Sequence, residues 1–346
     1  MAGRGAGGAE AAAANLIANL HKAGIEQIIV KDKQASGFVL PEKLDLKLAP
    51  RTLASPIPIL QKFSLAWLIR REKPALIHVW TRHAAGLLPR KCDIPIVAWF
   101  GSYDDPRPFH PCTDFIGATK GIVAHIIKNG LAAEHVFLVP NFTHFPSLPP
   151  IDRTSLATPK DAKVLLTLSR LHPTKGLDSF LKALATMPDC YGWIEGEGPI
   201  KRELEALAIK LGIMDRVRFL GKRADRAALL RAADVCVLPS RHEPFGTIAL
   251  ESWSAGTPLV ACQNDGIAAL VEDGLNGLLV PLGDTEKLAA ALRRALTDTS
   301  LRQRLIAQGY AAYIKDYTAE SLTRQWLEIY RRLTVTSPQT ARSNAN

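Results

Sequence analysis

Two carboxylates flank the start of a predicted helix in the second half of the chain. Glu243 follows an apolar run at residues 235–238, and Glu251 stands eight positions later. Amide groups at a helix N-terminus are unpaired and bind phosphate well. Three residues open this helix: Gly246, Thr247 and Ile248. We predict that their backbone holds a phosphate, that Glu243 reaches the reactive end of the ligand, and that Glu251 accepts hydrogen bonds from a diol such as ribose.

Two cations occupy a second loop. Arg170 and Lys175 follow the apolar run at 164–168, and together they can neutralise a diphosphate. A third loop, GEGP, begins at Gly196 after another apolar run. The chain has no Asp-x-Asp pair of the kind that binds a metal beside a diphosphate. We therefore expect no metal and no cofactor, with the two cations in the metal's place.

These loops need a parallel sheet to hold them, because ligands bind at the carboxyl ends of strands in open α/β sheets. Short runs rich in Val and Ile alternate with longer amphipathic stretches throughout the chain, which predicts an α/β fold. Strands are predicted at 27–30, 76–80, 95–100, 115–118, 136–139, 164–168, 191–194, 217–220, 235–238, 258–261 and 277–280.

The chain of 346 residues is long enough for two such domains. Residues 141–161 are rich in Pro, Ser and Thr, and their composition predicts a linker. We expect one Rossmann-like domain at 1–150, a second at 151–312, a C-terminal helix at 313–334 and a disordered tail at 335–346.

At this point the second half resembles the retaining glycosyltransferases of family 4, which have the GT-B fold. The resemblance rests on the E-x7-E element from Glu243 to Glu251, the loop of Arg170 and Lys175, the GEGP loop, and VEDGLNGLLV at 271–280. It implies two Rossmann-like domains that face each other across a cleft. It also implies that Glu243 contacts the donor sugar, that Glu251 holds the ribose, and that the two cations stabilise the departing diphosphate.

The first half is then expected to bind the acceptor. Gly7 and Gly8 resemble the glycine-rich loop of the family and are predicted to approach the donor, although no room for a preceding strand is present. The family often has His-Gly where this chain has Phe100 and Gly101, so a histidine role does not carry over. The remaining acceptor-side candidates are His83, Asp104 and Asp105, for which packing or turn roles are the alternative.

The composition of the chain indicates which binding partners to expect. The net charge of +10 is spread along the chain without a nucleic-acid-binding motif, so we expect no nucleic acid. The five dispersed cysteines and the absence of a signal-like start indicate a cytoplasmic protein. The charge also fits a peripheral contact with the anionic inner face of the plasma membrane.

One stretch bears directly on that contact. Residues 57–71 carry Phe63 and Trp67 among several basic residues. Such a stripe suits either a helix lying on a membrane or one packing on a sheet, and we favour the sheet.

We therefore expect a hexosyltransferase-type enzyme that moves a sugar, with retention, from a nucleotide-diphosphate donor to a glycan, lipid-linked or lipopolysaccharide-type acceptor. The alternatives are a nucleotide-sugar epimerase on the same fold and a non-catalytic or truncated nucleotide-sugar binder.

Overall fold

The computed structural model describes residues 8–32, 51–53, 57–90, 92–141 and 148–335. The chain divides into two compact units. Unit 1 joins the described residues of Met1–Phe142 to those of Thr318–Asn346, and unit 2 contains those of Thr143–Tyr317. Each unit builds its own parallel sheet and its own core.

Unit 1 begins with short strands and helices in alternation. Its first ten elements are α1 (Gly8–Lys22), β1 (Val30–Asp32), β2 (Arg51–Leu53), α2 (Pro58–Glu72), β3 (Ile77–Val79), α3 (Arg82–Leu87), β4 (Ile96–Phe100), β5 (Asp114–Gly117), α4 (Lys120–Lys128) and β6 (Val136–Leu138). The sheet order is β3-β4-β5-β6, with β1-β2 as a separate pair. All five residues of β4 are buried, as expected of an interior strand in a parallel sheet.

The strand predicted at 27–30 is wrong in its position, because only Val30 belongs to β1. Gln27 lies before the strand, where its side-chain amide donates a hydrogen bond to the Ile17 carbonyl of α1 at 2.9 Å. Among the described residues, β3 pairs only with β4 and β1 only with β2.

Unit 2 contains a larger sheet covered on both faces. Its elements are β7 (Lys163–Leu168), α5 (Leu177–Ala185), β8 (Cys190–Glu195), α6 (Lys201–Lys210), β9 (Val217–Gly221), α7 (Arg226–Ala232), β10 (Val235–Leu238), α8 (Thr247–Ala255), β11 (Leu259–Cys262), α9 (Asp265–Ala268), β12 (Leu278–Val280), α10 (Thr285–Thr297) and α11 (Thr299–Asp316). The strands are all parallel in the order β12-β11-β10-β7-β8-β9. The six strands predicted here are confirmed to within one residue at either end.

The predicted linker is only partly a linker. Residues 142–147 lie outside the described residues, but the stretch after them packs on unit 2. Arg153 donates to the Ala232 carbonyl at 2.9 Å and pairs with Asp234 at 3.0 Å. Trp193 donates to the Thr158 hydroxyl at 3.0 Å. The Pro- and Ser-rich composition of the predicted linker therefore indicates a segment without regular secondary structure, but its described part is packed on unit 2.

The last helix, α12 (Ala319–Val335), belongs to unit 1. Its Trp326 is buried beside α1 and β3, and the Tyr330 hydroxyl lies 2.7 Å from Nδ1 of His78. The His78 ring also lies 4.4 Å from the ring of Trp80 and 5.1 Å from that of Trp326. The helix predicted at 313–334 begins only at Ala319, because residues 313–316 still belong to α11. The tail predicted from 335 is wrong at its first residue, since Val335 ends α12, and its remainder lies outside the described residues.

Candidate functional site

Three loops that carry predicted site residues lie side by side at one edge of unit 2. They follow β7, β8 and β10, which are neighbours in the sheet with β7 in the middle. Because these strands are parallel, their carboxyl ends share one edge. Strand order thus brings together residues that are far apart in the chain.

Lys175 and Glu243 meet at this edge. Lys175 Nζ lies 2.6 Å from Glu243 Oε2, although 68 positions separate the two residues. Their side chains retain only 15% and 14% exposure, so the pair is partly buried yet open to a ligand. Partial burial strengthens the electrostatic effect of both groups on a bound anion. Two of the three residues predicted as catalytic are therefore in direct contact.

Arg241, which the sequence reasoning passed over, fastens the two loops that carry this pair. Its guanidinium donates to the Pro173 carbonyl at 2.8 Å and to Asp178 at 2.8 Å. Its backbone N–H donates to the Thr174 carbonyl at 2.8 Å. The contact with Arg241 lowers the pKa of Asp178. The only signal in the sequence was a cation directly after a strand, which by itself has many possible roles.

The helix α8 begins directly after the loop that follows β10, at the same edge of the sheet. Gly246 is its N-cap with a φ of 94°, and no side chain caps the helix. Within the described residues, no acceptor is recorded for the N–H groups of Gly246, Thr247 and Ile248. The first turn carries no acidic side chain that would compete with a ligand. These features suit the phosphate predicted there.

The loop after β11 approaches Glu243 closely. A Cβ atom on Gly266 would stand 2.1 Å from the Glu243 carbonyl oxygen. Asn264 caps α9 through the Ile267 N–H at 3.2 Å and donates to the Ser240 carbonyl at 3.0 Å. A residue with no side chain is therefore required at 266 for the backbone of Glu243 to keep its place.

Glu251 is buried on α8 and shares a cation with a second carboxylate. Arg226 Nη1 donates to Glu251 Oε1 at 3.3 Å, and Arg226 Nε lies 3.6 Å from Glu195. Glu251 Oε2 lies 3.0 Å from Arg226 Nη2, yet it has no hydrogen-bond partner within the described residues. Burial raises the pKa of Glu251; Arg226 opposes this rise and Glu195 adds to it. Arg226 and Glu195 were not predicted.

The other donor-side residues are placed differently. Arg170 is exposed in the loop after β7, and its side chain forms no hydrogen bond or ion pair within the described residues. Gly196 follows β8, and its N–H donates to the Gly221 carbonyl at 2.8 Å, so this amide is already used. Gly7 lies outside the described residues. Gly8 is the first residue of α1.

The acceptor-side candidates all lie in unit 1. His83 is exposed in the first turn of α3, and Asp104 and Asp105 lie in the loop after β4. Asp105 pairs with Arg107, which lowers its pKa. Phe100 packs against Phe109 with ring centroids 4.7 Å apart, so it is a core residue with no access to a ligand.

In the described ranges, no three His, Cys, Asp or Glu side chains are grouped so that they could hold a metal ion. None of the helices described is both long enough and apolar enough to cross a bilayer.

The chain is similar to known proteins in sequence and in fold. Residues 150–312 match the family model described as glycosyl transferases group 1. The lipopolysaccharide core biosynthesis glycosyltransferase LpsE of Rhizobium meliloti (strain 1021) is 34% identical over 272 residues, which cover 78% of this chain and 80% of that protein. LpsD of the same organism is 29% identical over 339 residues, covering 94% and 95% of the two chains.

A solved structure matches over nearly the whole chain. The crystal structure of Anabaena Alr3699/HepE with UDP and glucose is 21% identical, covers 94% of this chain and 96% of its own, and superposes with a TM-score of 0.73. The fold is GT-B, built from two Rossmann-like domains. The chain belongs to the glycosyl transferases group 1 family, and it is a hexosyltransferase-type glycosyltransferase.

Proposed function

We propose that this enzyme transfers a hexosyl group, with retention of configuration, from a nucleoside diphosphate sugar to a lipopolysaccharide-type acceptor. The contact between Lys175 and Glu243 at 2.6 Å carries the proposal, because it joins a cation for the diphosphate to a carboxylate for the sugar. The names of the two Rhizobium relatives support the acceptor, and the UDP bound by the Anabaena protein supports the donor.

The reaction breaks the bond between the anomeric carbon and the diphosphate oxygen and forms a bond to an acceptor hydroxyl oxygen. The hydroxyl proton is released, and the nucleoside diphosphate leaves with the bonding electrons. Lys175, Arg170 and the amides at the start of α8 would stabilise the charge on the leaving group. Glu251, which Arg226 holds through an ion pair at 3.0 Å, would accept a hydrogen bond from a ribose hydroxyl.

We further propose that the reaction needs no metal, because cations and helix amides supply the stabilisation that a metal would give. We also propose that the enzyme belongs to the retaining family 4 and works in the cytoplasm beside the inner membrane face. Chelation with EDTA should leave turnover unchanged, and a loss that Mg²⁺ or Mn²⁺ restores would contradict metal independence.

The test is a transfer assay with purified protein, a panel of UDP-, GDP- and ADP-sugars and lipopolysaccharide core acceptors. Glu243→Ala and Lys175→Ala should each lower turnover by at least about tenfold, since each removes a group that acts on the transition state. Glu203→Ala, which removes an exposed carboxylate on α6, is the matched control.

The anomeric configuration of the product, read by NMR, decides between retention and inversion. Wild-type turnover in Glu243→Ala would contradict the assignment of the site. Conversion of the donor sugar without any acceptor would instead indicate an epimerase.

A further inference from the structure

We propose that the outer face of α2 docks on an anionic phospholipid bilayer through Ile59, Phe63 and Trp67, with basic residues beside them. The inference rests on the proposed function in one respect, that a lipopolysaccharide-type acceptor is carried by a membrane. The surface itself is defined by the structure of unit 1.

The apolar side chains of this helix point the wrong way for a core. Phe63 is 69% exposed, Ile59 59% and Trp67 56%. They are spaced four residues apart, which places them along one face of the helix. The two buried residues of α2, Gln61 and Leu68, lie on the opposite face, so a polar side chain is buried while aromatic ones are exposed.

The sequence-based preference for a helix packing this stripe on a sheet is therefore wrong. α2 does pack within unit 1, against α3, but not through Phe63 or Trp67. A helix that packs on a sheet and a helix that lies on a membrane have the same pattern of residues. The two differ only in whether the apolar face points into the protein or out of it.

Exposed apolar side chains concentrate here. Of the fourteen large hydrophobic residues exposed in the described chain, five lie on α2 or at its N-cap. The other two are Ile57, at 50% exposure, and Leu60, at 47%. Scattered exposed residues need no explanation, but a contiguous cluster usually marks a binding surface.

The charge around the cluster selects an anionic occupant. Lys62, Arg70 and Lys73 are exposed cations, whereas Arg71, also exposed, pairs with Glu72, the only acidic residue of the helix. The Arg71 guanidinium lies over the Trp67 ring, 4.4 Å from its centroid. Aromatic residues beside lysines and arginines are the composition of helices that lie in a membrane interface.

A second copy of the chain is a poorer occupant. A two-fold symmetric interface through this face would bring the same cations of both copies together. An anionic bilayer instead receives both the apolar groups and the cations, and each cation near its surface strengthens binding about fivefold.

The experiment is sedimentation of the full chain with vesicles, without any nucleotide-sugar. Vesicles of phosphatidylcholine and phosphatidylglycerol in equal parts should bind the protein, and vesicles of phosphatidylcholine alone should bind it at least about tenfold more weakly. Raising the salt from about 0.1 M to about 1 M shortens the screening length from ~10 to ~3 Å and should release it.

Two sets of variants place the contact. The double variant Phe63→Ser with Trp67→Ser should lower the partition coefficient at least about tenfold. Its matched control is Ile209→Ser with Met214→Ser, which removes two exposed apolar residues from unit 2, of 65% and 40% exposure, and should bind as the wild type does. Circular dichroism and the melting temperature verify that both variants are folded.

Fluorescence gives a positional readout. Lipids brominated on their acyl chains should quench the wild-type protein, and Trp67→Phe should lose that quenching while binding within about twofold of wild type. The proposal is overturned by absence of binding to anionic vesicles, by equal binding of the double variant, or by a concentration-dependent dimer that only the double variant loses. Vesicle binding without any sugar transfer would remove the proposed function and leave the docking surface standing.

Discussion

At the scale of single residues, the two cations of the β7 loop differ in their contacts within the protein. Lys175 forms a partly buried ion pair with Glu243, whereas Arg170 is exposed and forms no hydrogen bond or ion pair through its side chain in the described part of the chain. Removing one member of a buried pair leaves the other charge poorly solvated. The same loss of a cation should therefore have different consequences for the fold.

We predict that Lys175→Ala lowers both turnover and stability, the latter by about 1–3 kcal/mol. Arg170→Ala should lower turnover with a change in stability within about 0.5 kcal/mol, since surface substitutions have small effects. Urea denaturation measured beside the transfer assay separates the two. Equal destabilisation by both variants would mean that the ion pair is not formed in solution.

The sequence predicted both residues as part of the site, but neither their ion pair nor the residues around them. Lys175 and Glu243 both follow strands of one parallel sheet, so the fold class alone places them at the same edge. The roles of Arg241 and Arg226 depend on which carbonyl or carboxylate each guanidinium reaches, and a sequence pattern does not encode that geometry. Phe100 was predicted not to act as the family's histidine does, and its place in the core agrees with this.

At the scale of elements, the close approach of the β11 loop to the β10 loop makes a sharp prediction. Gly266→Ala would place a Cβ atom 2.1 Å from the Glu243 carbonyl, so the backbone must move. Turnover should fall at least about tenfold, because small displacements of a catalytic group are costly. Gly274→Ala is a poor control because its φ is 73°, so Gly86→Ala, with open space around it, is preferred. Unchanged turnover in Gly266→Ala would mean that catalysis does not depend on the exact position of Glu243.

The junction of β3 with α12 should make unit 1 sensitive to acid. Burial lowers the pKa of His78 to about 3, against an unfolded value of 6.5. Although the residue as a whole is only half-buried, its Nε2 atom is excluded from solvent and has no recorded partner in the described chain, so the ring is desolvated. A lowered pKa gives stability that is complete above pH 6.5 and is lost as the pH falls toward 3, because the unfolded chain takes up the proton first.

The loss should approach, at most, about 1.4 kcal/mol for each pH unit below 6.5. The melting temperature of wild type should therefore drop between pH 7 and pH 5 more steeply than that of His78→Phe. Parallel pH profiles of the two proteins would show that His78 does not titrate with unfolding.

The elements themselves were largely predictable. In unit 2, apolar runs bounded by polar loops reproduce every strand within one residue, because buried strands of a parallel sheet have no polar face to obscure the pattern. In unit 1, β2 is only three residues long and was missed, and the stripe of α2 was placed inward because periodicity does not tell which side of a helix meets the core.

At the scale of the whole molecule, each unit has its own buried core, and the donor-side residues in the described chain lie mainly in unit 2. We predict two thermal transitions in calorimetry. UDP at about a hundred times its dissociation constant should stabilise the transition of unit 2 by about 2.7 kcal/mol. Leu292→Ala in α10 should lower the melting temperature of the unit 2 transition, and Ile116→Ala in β5 that of the unit 1 transition. The two variants therefore identify which transition belongs to which unit. An equal UDP shift of both transitions would indicate that the units unfold together.

The return of α12 to unit 1 has a consequence for how the protein is made. The chain emerges from the ribosome in order, so all of unit 2 is synthesised between the two parts of unit 1. Tyr330 lies 252 positions after its partner His78, so the two meet only once nearly the whole chain has been translated. Unit 2 is continuous and can fold as soon as it emerges, whereas unit 1 must wait, partly assembled, with Trp80 and its neighbours uncovered. During translation, the N-terminal unit is thus the last to be completed and the one most in need of a chaperone.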